Sequence, residues 1–380
     1  MHLTYTAEQQ AFRAEVRTWL EGHVPKERLP SFDTAEGFEA HRAWEGVLAS
    51  GRWSAVTWPE EYGGRGLDLI RWLIFEEEYW RAGAPGRVSQ NGVFLLAPTM
   101  MEYGTPEQKA RFLPKMATGE EIWAQAWSEP QAGSDLAAVR ATATLDGDEY
   151  VLNGHKIWSS RAVFADWAFG LFRTEAGSER HKGLSLILFN LKSPGVRVQP
   201  IPQIDGEAGF AEIFLENARA PAANLMGGEG QGWNVCMATA GFERGLMLRS
   251  PARFQAAAAR LVALSMRSMP DATQQAAVMQ AVMDADAYAL SIYSTASRLM
   301  AGGKIGAEAS CNKLFWSELD VALHKTALSI KGAAAELTDD TSGEPWLDGY
   351  LFSLAGPIYA GANEIQRNII AERVLGLPRG

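Results

Sequence analysis

Residues 123–160 contain the sequence feature that most constrains the fold, a rigid polar loop followed by a run of strand-forming residues. The loop reads W-S-E-P-Q-A-G-S-D. Its proline fixes one backbone angle, and Gly133 lets the backbone approach another group closely. Ser128 and Ser134 add short hydroxyl groups, and the amides of such a loop can bind a flat polar edge or a phosphate. The loop is therefore a candidate binding site beside a β-structure.

The second half of this segment has the composition of a β-structure. Asp146-Gly147 and Asn153-Gly154 are typical of hairpin turns, and the segment ends in Trp158-Ser159-Ser160, an indole beside two hydroxyls. The residues that favour strands around these turns are Thr142, Thr144, Tyr150 and Val151. Turn chemistry alone leaves two interpretations: a binding site that includes Trp158, or a surface loop and hairpin with Trp158 in the core.

The composition excludes several classes of protein. The chain has 380 residues, 47% hydrophobic and 21% charged, which favours a soluble globular protein with two or three cores. The net charge is −10 without a block of Lys and Arg, which argues against nucleic acid or an anionic membrane surface as partner. The polar N-terminus predicts no signal peptide, and no apolar run is long enough for a membrane span. Cys236 and Cys311 lack metal-binding spacing, so we expect no metal and two buried free thiols in a reducing cytoplasm.

Helical patterns flank the β segment on both sides, and they predict a helical domain at 1–115, a β domain at 116–228 and a helical domain at 229–380. The helices predicted in the first domain cover 8–20, 71–80 and 94–101, and a further helix starts with Thr105 as N-cap and Pro106 at its first position. The tryptophans of this domain are predicted to lie in its core: Trp44, Trp53, Trp58 and Trp72.

Further strands are predicted at 165–174, 183–191, 196–200 and 210–215, separated by turn residues. This spacing predicts a small antiparallel barrel or sandwich between the helical parts. The predicted C-terminal helices cover 233–269 with a bend at Pro251, then 273–301, 306–331 and 363–375. The glycine-rich segment 227–232 does not fit a dinucleotide-binding fingerprint, so we interpret it as a flexible hinge into the first of these helices.

Two motifs and the C-terminal segment carry a resemblance to a known family. The motifs are S-E-P-Q-A-G-S-D at 128–135 and N-G-H-K-I-W at 153–158, and E-I-Q-R-N-I-I-A-E-R-V-L-G spans 364–376. Together they resemble the acyl-CoA dehydrogenase family of FAD-dependent flavoproteins. The resemblance implies an α+β fold with an N-terminal α-helical domain, a middle antiparallel β-barrel or sandwich domain and a C-terminal four-helix bundle.

The resemblance also implies an activity, the α,β-desaturation of an acyl-CoA or acyl-carrier thioester. In such oxidoreductases a carboxylate removes the proton at Cα while hydride passes from Cβ to N5 of the flavin. A buried glutamate suits the first task, because desolvation raises the pKa of its carboxyl. The implied context is lipid metabolism, with electron-transfer flavoprotein as electron acceptor and a homotetramer or a heterotetramer with a paralogous subunit as the assembly.

The sequence departs from this family at the base. The commonest family pattern is Tyr-Glu-Gly near the C-terminus, and here the triplet is Tyr359-Ala360-Gly361, whose alanine cannot take a proton. Some members carry the base before an arginine on the helix after the β domain, and Glu243 and Arg244 match that position. The alternative interpretation of Glu243 is an ordinary solvated helix carboxylate. The resemblance implies that Arg244, Ala360 and Gly361 contact the substrate, with the backbone N–H of Ala360 donating to the thioester oxygen.

Seven residues match flavin-contacting positions of the family motifs. They are Gln125, Trp127, Ser128, Gly133, Ser134, Trp158 and Ser160. The resemblance implies that the first three run along the edge of the isoalloxazine ring and that Ser134 lies near the pyrophosphate and the substrate. It implies further that the indole of Trp158 packs against the flavin and that Ser160 donates a hydrogen bond.

Two further departures concern the assembly. Residues 267–272 lack the Phe-Gly of a segment that reaches the neighbouring subunit's FAD in many relatives, and residues 329–333 depart from a Gln-x-x-Gly-Gly segment at the adenine end. Both leave open how FAD is shared between chains. Two alternatives therefore stand beside a complete dehydrogenase. One is a flavoenzyme of the same fold that resembles nitroalkane oxidases or monooxygenases, and the other is a non-catalytic supporting subunit of a hetero-oligomer.

Overall fold

The computed structural model of the chain describes residues 4–243, 247, 249–337 and 346–378, with Glu243 described by its backbone alone. Within these residues helices come first, a sheet of eight strands follows, and helices return. The predicted α+β fold class and the order of its three parts are therefore confirmed.

In the described part of the chain, five α-helices precede the sheet. They are α1 (Ala7–His23), α2 (Ala35–Ser50), α3 (Leu69–Arg81), α4 (Ala97–Tyr103) and α5 (Pro106–Thr118). Thr6 and Thr105 cap α1 and α5 through capping boxes, and Pro106 opens α5 as predicted. The helix predicted at 94–101 is a π-helical segment, Asn91–Leu96, that continues into α4. The tryptophans predicted as core are buried: Trp44, Trp53, Trp58 and Trp72.

The sheet is mixed rather than purely antiparallel. Its strands are β1 (Trp123–Ala126), β2 (Thr142–Asp146), β3 (Glu149–Ser160), β4 (Trp167–Arg173), β5 (Leu184–Asn190), β6 (Val196–Ile201), β7 (Phe210–Pro221) and β8 (Leu225–Met226). Their order is β6-β7-β3-β2-β4-β5-β8, with β1 paired to β4. The β1–β4 and β2–β4 pairs are parallel, and the remaining pairs are antiparallel. Alternating apolar residues such as Leu152 and Ile213 supply the core of the sheet.

One of the two predicted hairpin turns is wrong. Asp146-Gly147 does form the tight turn between β2 and β3, where Asp146 pairs with Glu149. Asn153-Gly154 instead lies inside β3, which runs for 12 residues and pairs with β7. At Gly154 the register with β7 shifts, and a Cβ there would lie 2.4 Å from the Cβ of Ala141. The glycine is therefore required by close packing at a bulge and not by a chain reversal.

Six α-helices follow the sheet within the described residues. They are α6 (Gly232–Glu243), α7 (Pro251–Arg267), α8 (Ala272–Met300), α9 (Ala309–Lys331), α10 (Trp346–Ser353) and α11 (Asn363–Ile369). The prediction of one bent helix over 233–269 is wrong, because α6 ends at Glu243 and Pro251 opens a new helix, a position that suits its ring.

The glycine-rich segment before α6 contacts β5 near the start of that helix. The Gly230 N–H donates to Ser185 Oγ at 2.9 Å. A Cβ on Gly232 would lie 2.6 Å from the backbone of Ser185, so only glycine allows α6 to begin against β5. The hinge interpretation of 227–232 stays a prediction.

The chain divides into two compact units. One comprises Pro25–Leu67 and Pro85–Glu243 and holds the sheet with α2, α4, α5 and α6. The other holds α1, α3 and α7 to α11, and in it α3 packs against α1, α7 and α8. Two N-terminal helices thus belong to the same unit as the C-terminal helices. The predicted domain boundaries near 115 and 228 stay a prediction.

Two kinds of feature are absent from the part of the chain that the structure describes. None of its helices is long and apolar enough to cross a membrane. None of its His, Cys, Asp and Glu side chains form a group of three or more that could hold a metal ion. Both cysteines are free thiols, but the prediction that both are buried holds only for Cys236 and is wrong for Cys311, which is exposed.

Candidate functional site

The loop after β1 is held in a tight turn by its own backbone. Glu129 and Ala132 exchange both backbone hydrogen bonds, with N···O distances of 3.1 and 2.9 Å. Gly133 and Ser134 follow this turn and are exposed. Apart from its chain neighbours, no atom of the described residues lies within 4 Å of a Cβ built on Gly133, so open space surrounds that glycine. The loop therefore presents its backbone and a hydroxyl group to the outside.

A buried ion pair joins this loop to β3. Lys156 is fully buried, and its Nζ donates to Glu129 Oε1 at 2.7 Å, to the Leu171 carbonyl at 2.6 Å and to the Trp127 carbonyl at 3.3 Å. The Glu129 carboxylate also accepts from two backbone N–H groups beyond the loop, at 2.7 and 2.9 Å. Neither residue is among the sequence-predicted site residues, although a lysine and a glutamate within two neighbouring motifs are a signal for such a pair.

Burial and pairing act in opposite directions on these two groups. Burial alone would raise the pKa of the Glu129 carboxyl, but the charge of Lys156 and the hydrogen bonds from Lys156 and the backbone lower that pKa. Burial lowers the pKa of the Lys156 ammonium, and Glu129 opposes this shift. The charged form of the Glu129 carboxylate and that of the Lys156 ammonium therefore stabilise each other in this buried position. Removing one partner of such a pair typically costs about 3–5 kcal/mol, because the other charge stays buried and unpaired.

The end of β3 turns Trp158 outward. Its φ is +62°, in a region that bulky residues rarely adopt, and the register of β3 against β7 shifts between Lys156 and Ser159. Trp158 is 56% exposed, and its indole meets the ring of Phe210 edge-on at 6.1 Å. The alternative that Trp158 belongs to the core is therefore wrong. Strained backbone at an exposed aromatic residue is typical of a position that contacts a ligand.

The fold brings the segments that carry the sequence-predicted flavin residues side by side within one compact unit. The N–H of Ile157 donates to the Ser128 carbonyl at 2.9 Å, so the loop lies against the residue that precedes Trp158. Gln125 and Ser160 are half-buried, on β1 and at the end of β3. Their contacts with a flavin stay a prediction.

Unpaired buried polar atoms indicate that these residues fit a flat polar ligand. The indole Nε1 of Trp127 and the hydroxyl of Ser159 are buried and have no hydrogen-bond partner among the described residues. Buried polar groups are nearly always paired in native proteins, so each such atom calls for an explanation. An isoalloxazine ring needs hydrogen-bond donors at its polar edge and an aromatic surface against its face. The indole N–H of Trp127 and the open backbone of the loop can supply the donors, and the outward indole of Trp158 can supply the aromatic surface. The residues present therefore fit FAD.

The Tyr359-Ala360-Gly361 turn lies in the other compact unit and has an unusual backbone. Ala360 has a φ of +55° and Gly361 a φ of +83°. The Gln366 side chain donates to the Gly361 carbonyl at 3.1 Å, and the Arg249 guanidinium donates to the Tyr359 hydroxyl at 2.9 Å. The turn is thus held from two sides, although position 360 carries no carboxylate.

The residues predicted as base and substrate ligand are only partly described. Glu243 is the last residue of α6, and its side chain and the whole of Arg244 lie outside the described residues. Residues 267–272 connect α7 to α8, where Asp271 caps α8 and Met269 is fully exposed.

Comparison with known proteins gives three successive matches to family models. They are the N-terminal domain of acyl-CoA dehydrogenase at residues 6–120, its middle domain at 124–218 and its C-terminal domain at 230–375. Acyl-CoA dehydrogenase IpdE1 of Mycobacterium tuberculosis is 42% identical, covering 97% of this chain and 98% of that protein. Acyl-CoA dehydrogenase FadE26 of the same organism is 32% identical, covering 100% and 99%.

Solved structures agree with these matches. The chain is similar to the Tcur3481-Tcur3483 steroid ACAD, with a TM-score of 0.88, 27% identity and 100% of both chains covered. It is also similar to the ChsE4-ChsE5 complex from Mycobacterium tuberculosis, with a TM-score of 0.86, 30% identity and again 100% of both chains covered. Since the family models span nearly the whole chain, it belongs to the acyl-CoA dehydrogenase family of FAD-dependent oxidoreductases, which act on CH–CH groups.

Proposed function

We propose that this acyl-CoA dehydrogenase desaturates a bulky, steroid-derived acyl-CoA and works beside a paralogous chain. The observation that carries the proposal is the braced Tyr359-Ala360-Gly361 turn, which has no carboxylate. A methyl group at position 360 is smaller than a glutamate side chain and so leaves room for an acyl group with rings. Because this methyl group cannot accept a proton, another residue must act as the base. The steroid ACAD and the two-component complex among the similar structures support both parts of the proposal.

Glu243 is the proposed base, and it removes the proton at Cα of the substrate. A thioester oxygen that accepts from the N–H of Ala360 makes this proton more acidic, because the developing negative charge is stabilised there. Arg244 holds the substrate beside the base. FAD, when bound, supplies the acceptor for the hydride that leaves Cβ. We further infer that electron-transfer flavoprotein reoxidises the enzyme, as family membership suggests.

Replacing Glu243 by glutamine tests the base. Glu243→Gln removes the proton acceptor and keeps the side-chain volume, so FAD should stay bound while its reduction by substrate slows by at least ~10²-fold. Anaerobic bleaching of the flavin absorbance in a stopped-flow instrument measures this rate. Glu229→Gln, which changes an exposed glutamate before α6, is the matched control and should leave the rate unchanged. A near-normal rate in Glu243→Gln would assign the base to another carboxylate.

A panel of thioesters tests the substrate class. We expect a higher kcat/KM for acyl-CoA esters with steroid-derived rings than for straight-chain acyl-CoA of similar carbon number. A preference for straight chains would contradict the proposed substrate. Rapid peroxide formation in the same assay would point to an oxygen-using flavoenzyme instead.

The missing carboxylate at position 360 also favours a second candidate function, a supporting subunit whose FAD sites are completed by the paralogue. In that case the chain purified alone is colourless and reduces no flavin with any acyl-CoA. Co-expression with the paralogous partner chain would restore both colour and activity. A yellow, active protein without the partner excludes this candidate.

A further inference from the structure

The contacts of the buried ion pair lie on the two segments that carry the proposed flavin residues. Glu129 lies within the loop, and Lys156 lies two residues before Trp158. Lys156 Nζ reaches the Trp127 carbonyl at 3.3 Å, and the N–H of the next residue along β3 donates to the Ser128 carbonyl at 2.9 Å. The loop and the strand are therefore joined at two consecutive positions immediately before Trp158.

The hydrogen-bonding capacity of the pair is filled. The Lys156 ammonium has three protons and donates to three oxygens. One carboxylate oxygen of Glu129 accepts from Lys156 and the Ala141 N–H, and the other accepts from the Arg140 N–H and from Gln131 Nε2 at 2.6 Å. Charge-assisted hydrogen bonds are strong at buried positions, so the pair resists a shift of the loop relative to β3.

The ion pair lies immediately before the β-bulge of β3 that contains Trp158. Lys156 is the last buried side chain before the register shift, and Trp158 then adopts its positive φ. A strained residue keeps such a conformation only where its surroundings hold it. The anchored Lys156 side chain and the loop bond to the next residue supply that support on the N-terminal side of Trp158.

We propose that the Glu129–Lys156 pair is a positioning device for FAD, which sets the separation between the backbone of residues 127–134 and the indole of Trp158. The pair does not touch the flavin and acts through Trp127, Ser128 and Trp158. This inference rests on the flavin contacts proposed at the loop and at Trp158, and it assigns their spacing to one ion pair. A purely structural pair would stabilise the sheet and leave the spacing to other contacts.

Three variants separate positioning from stability. Lys156→Met leaves the charge of Glu129 buried and unpaired, so we expect a clearly less stable protein. The double variant Glu129→Gln/Lys156→Met removes both charges, and its stability should lie above that of Lys156→Met, since no buried charge is left unpaired. Its FAD affinity should nevertheless stay weaker by roughly tenfold or more, because the groups that contact the ligand lose their support. Glu129→Asp keeps the charge but shortens the side chain by one methylene, and it should weaken FAD binding with a smaller loss of stability than Lys156→Met.

The measurements use the assembled protein as isolated. Circular dichroism in the far ultraviolet gives Tm, titration of the apoprotein with FAD gives Kd from flavin fluorescence, and visible circular dichroism of the bound flavin reports its environment. Arg219→Met is the matched control, because it removes exposed ion pairs to Asp146 and Glu149 on the same sheet. This control should leave Tm, Kd and the visible spectrum close to those of the parent.

A double variant that regains the parent Tm and also binds FAD with parent Kd and visible spectrum would overturn the proposal. If the double variant does not fold, Glu129→Asp decides: parent-like FAD binding in that variant rejects positioning, and weak binding at a near-parent Tm supports it. Trp158→Ala is measured in parallel. Parent-like FAD binding in Trp158→Ala rejects the proposed contact between Trp158 and the flavin. If Trp158→Ala binds FAD weakly but the double variant binds it like the parent, the contact stands and only the positioning role of the ion pair is rejected.

Discussion

At the scale of single residues, Trp158 is 56% exposed although tryptophan is usually well buried. We expect Trp158→Ala to lower the FAD content or shift the flavin spectrum. The free energy of unfolding of the apoprotein should change by only about 0.5 kcal/mol, as for most surface substitutions. FAD per chain from the visible absorbance and thermal unfolding of the apoprotein measure the two effects. Leu145→Ala, at an exposed residue of β2, should change neither.

At the scale of elements, the bulge in β3 depends on Gly154. A Cβ at this position would lie 2.4 Å from the Cβ of Ala141, so Gly154→Ala forces β3 or the residue just before β2 to shift. We expect a loss of about 1–3 kcal/mol in the free energy of unfolding, typical of overpacking. Chemical denaturation measures it. Gly22→Ala is the control and should be neutral or stabilising by about 0.5–1 kcal/mol, because in the described part of the chain a Cβ at this position of α1 meets nothing beyond its own helix.

The contact between α1 and α3 depends on the charge of Glu78. Its buried carboxylate accepts from Arg17 and Arg13 of α1, and from Arg81 of α3. Burial alone would raise the pKa of Glu78, but the hydrogen bonds from Arg17, Arg81 and Arg13 lower it from 4.5 to about 2. Because the folded pKa lies below the unfolded one, this stabilisation is fully present above pH 4.5 and is lost as the pH falls towards 2.

We therefore expect Glu78→Gln to lower the free energy of unfolding near neutral pH and to flatten its decline below pH 4.5. Denaturant unfolding at a series of pH values measures both. Glu8→Gln, at an exposed glutamate near the start of α1, should keep the parent profile. A parent-like profile in Glu78→Gln would show that other carboxylates control the acid sensitivity.

At the scale of the whole molecule, α8 has an apolar face that the described residues leave exposed. Met279, Met283 and Leu290 are exposed and recur at helical spacing, whereas Val278 and Ala281 of the same helix are buried. We expect this face to contact a second copy or the paralogue, so that the protein is a dimer or tetramer whose FAD content depends on assembly.

Met283→Lys places a charge on this face and should reduce both the oligomer and the FAD content, because a charge is costly in an apolar interface. Light scattering after size exclusion, with absorbance at the flavin band, measures mass and FAD together. Leu145→Lys, at an exposed residue of the sheet, is the control. A parent protein that elutes as a 41.5 kDa monomer with one FAD per chain would contradict the expectation.

The sequence by itself determined the family, the helix–sheet–helix order and local features such as the Thr105 cap, because motifs, periodicity and capping act over a few residues. It also indicated the loop at 127–134 and Trp158 as candidate flavin-binding residues. Only the tertiary structure decided that Trp158 faces outward and that Asn153-Gly154 continues a strand. The Glu129–Lys156 pair likewise joins residues 27 positions apart. These features depend on which distant residues meet, and local patterns do not specify that.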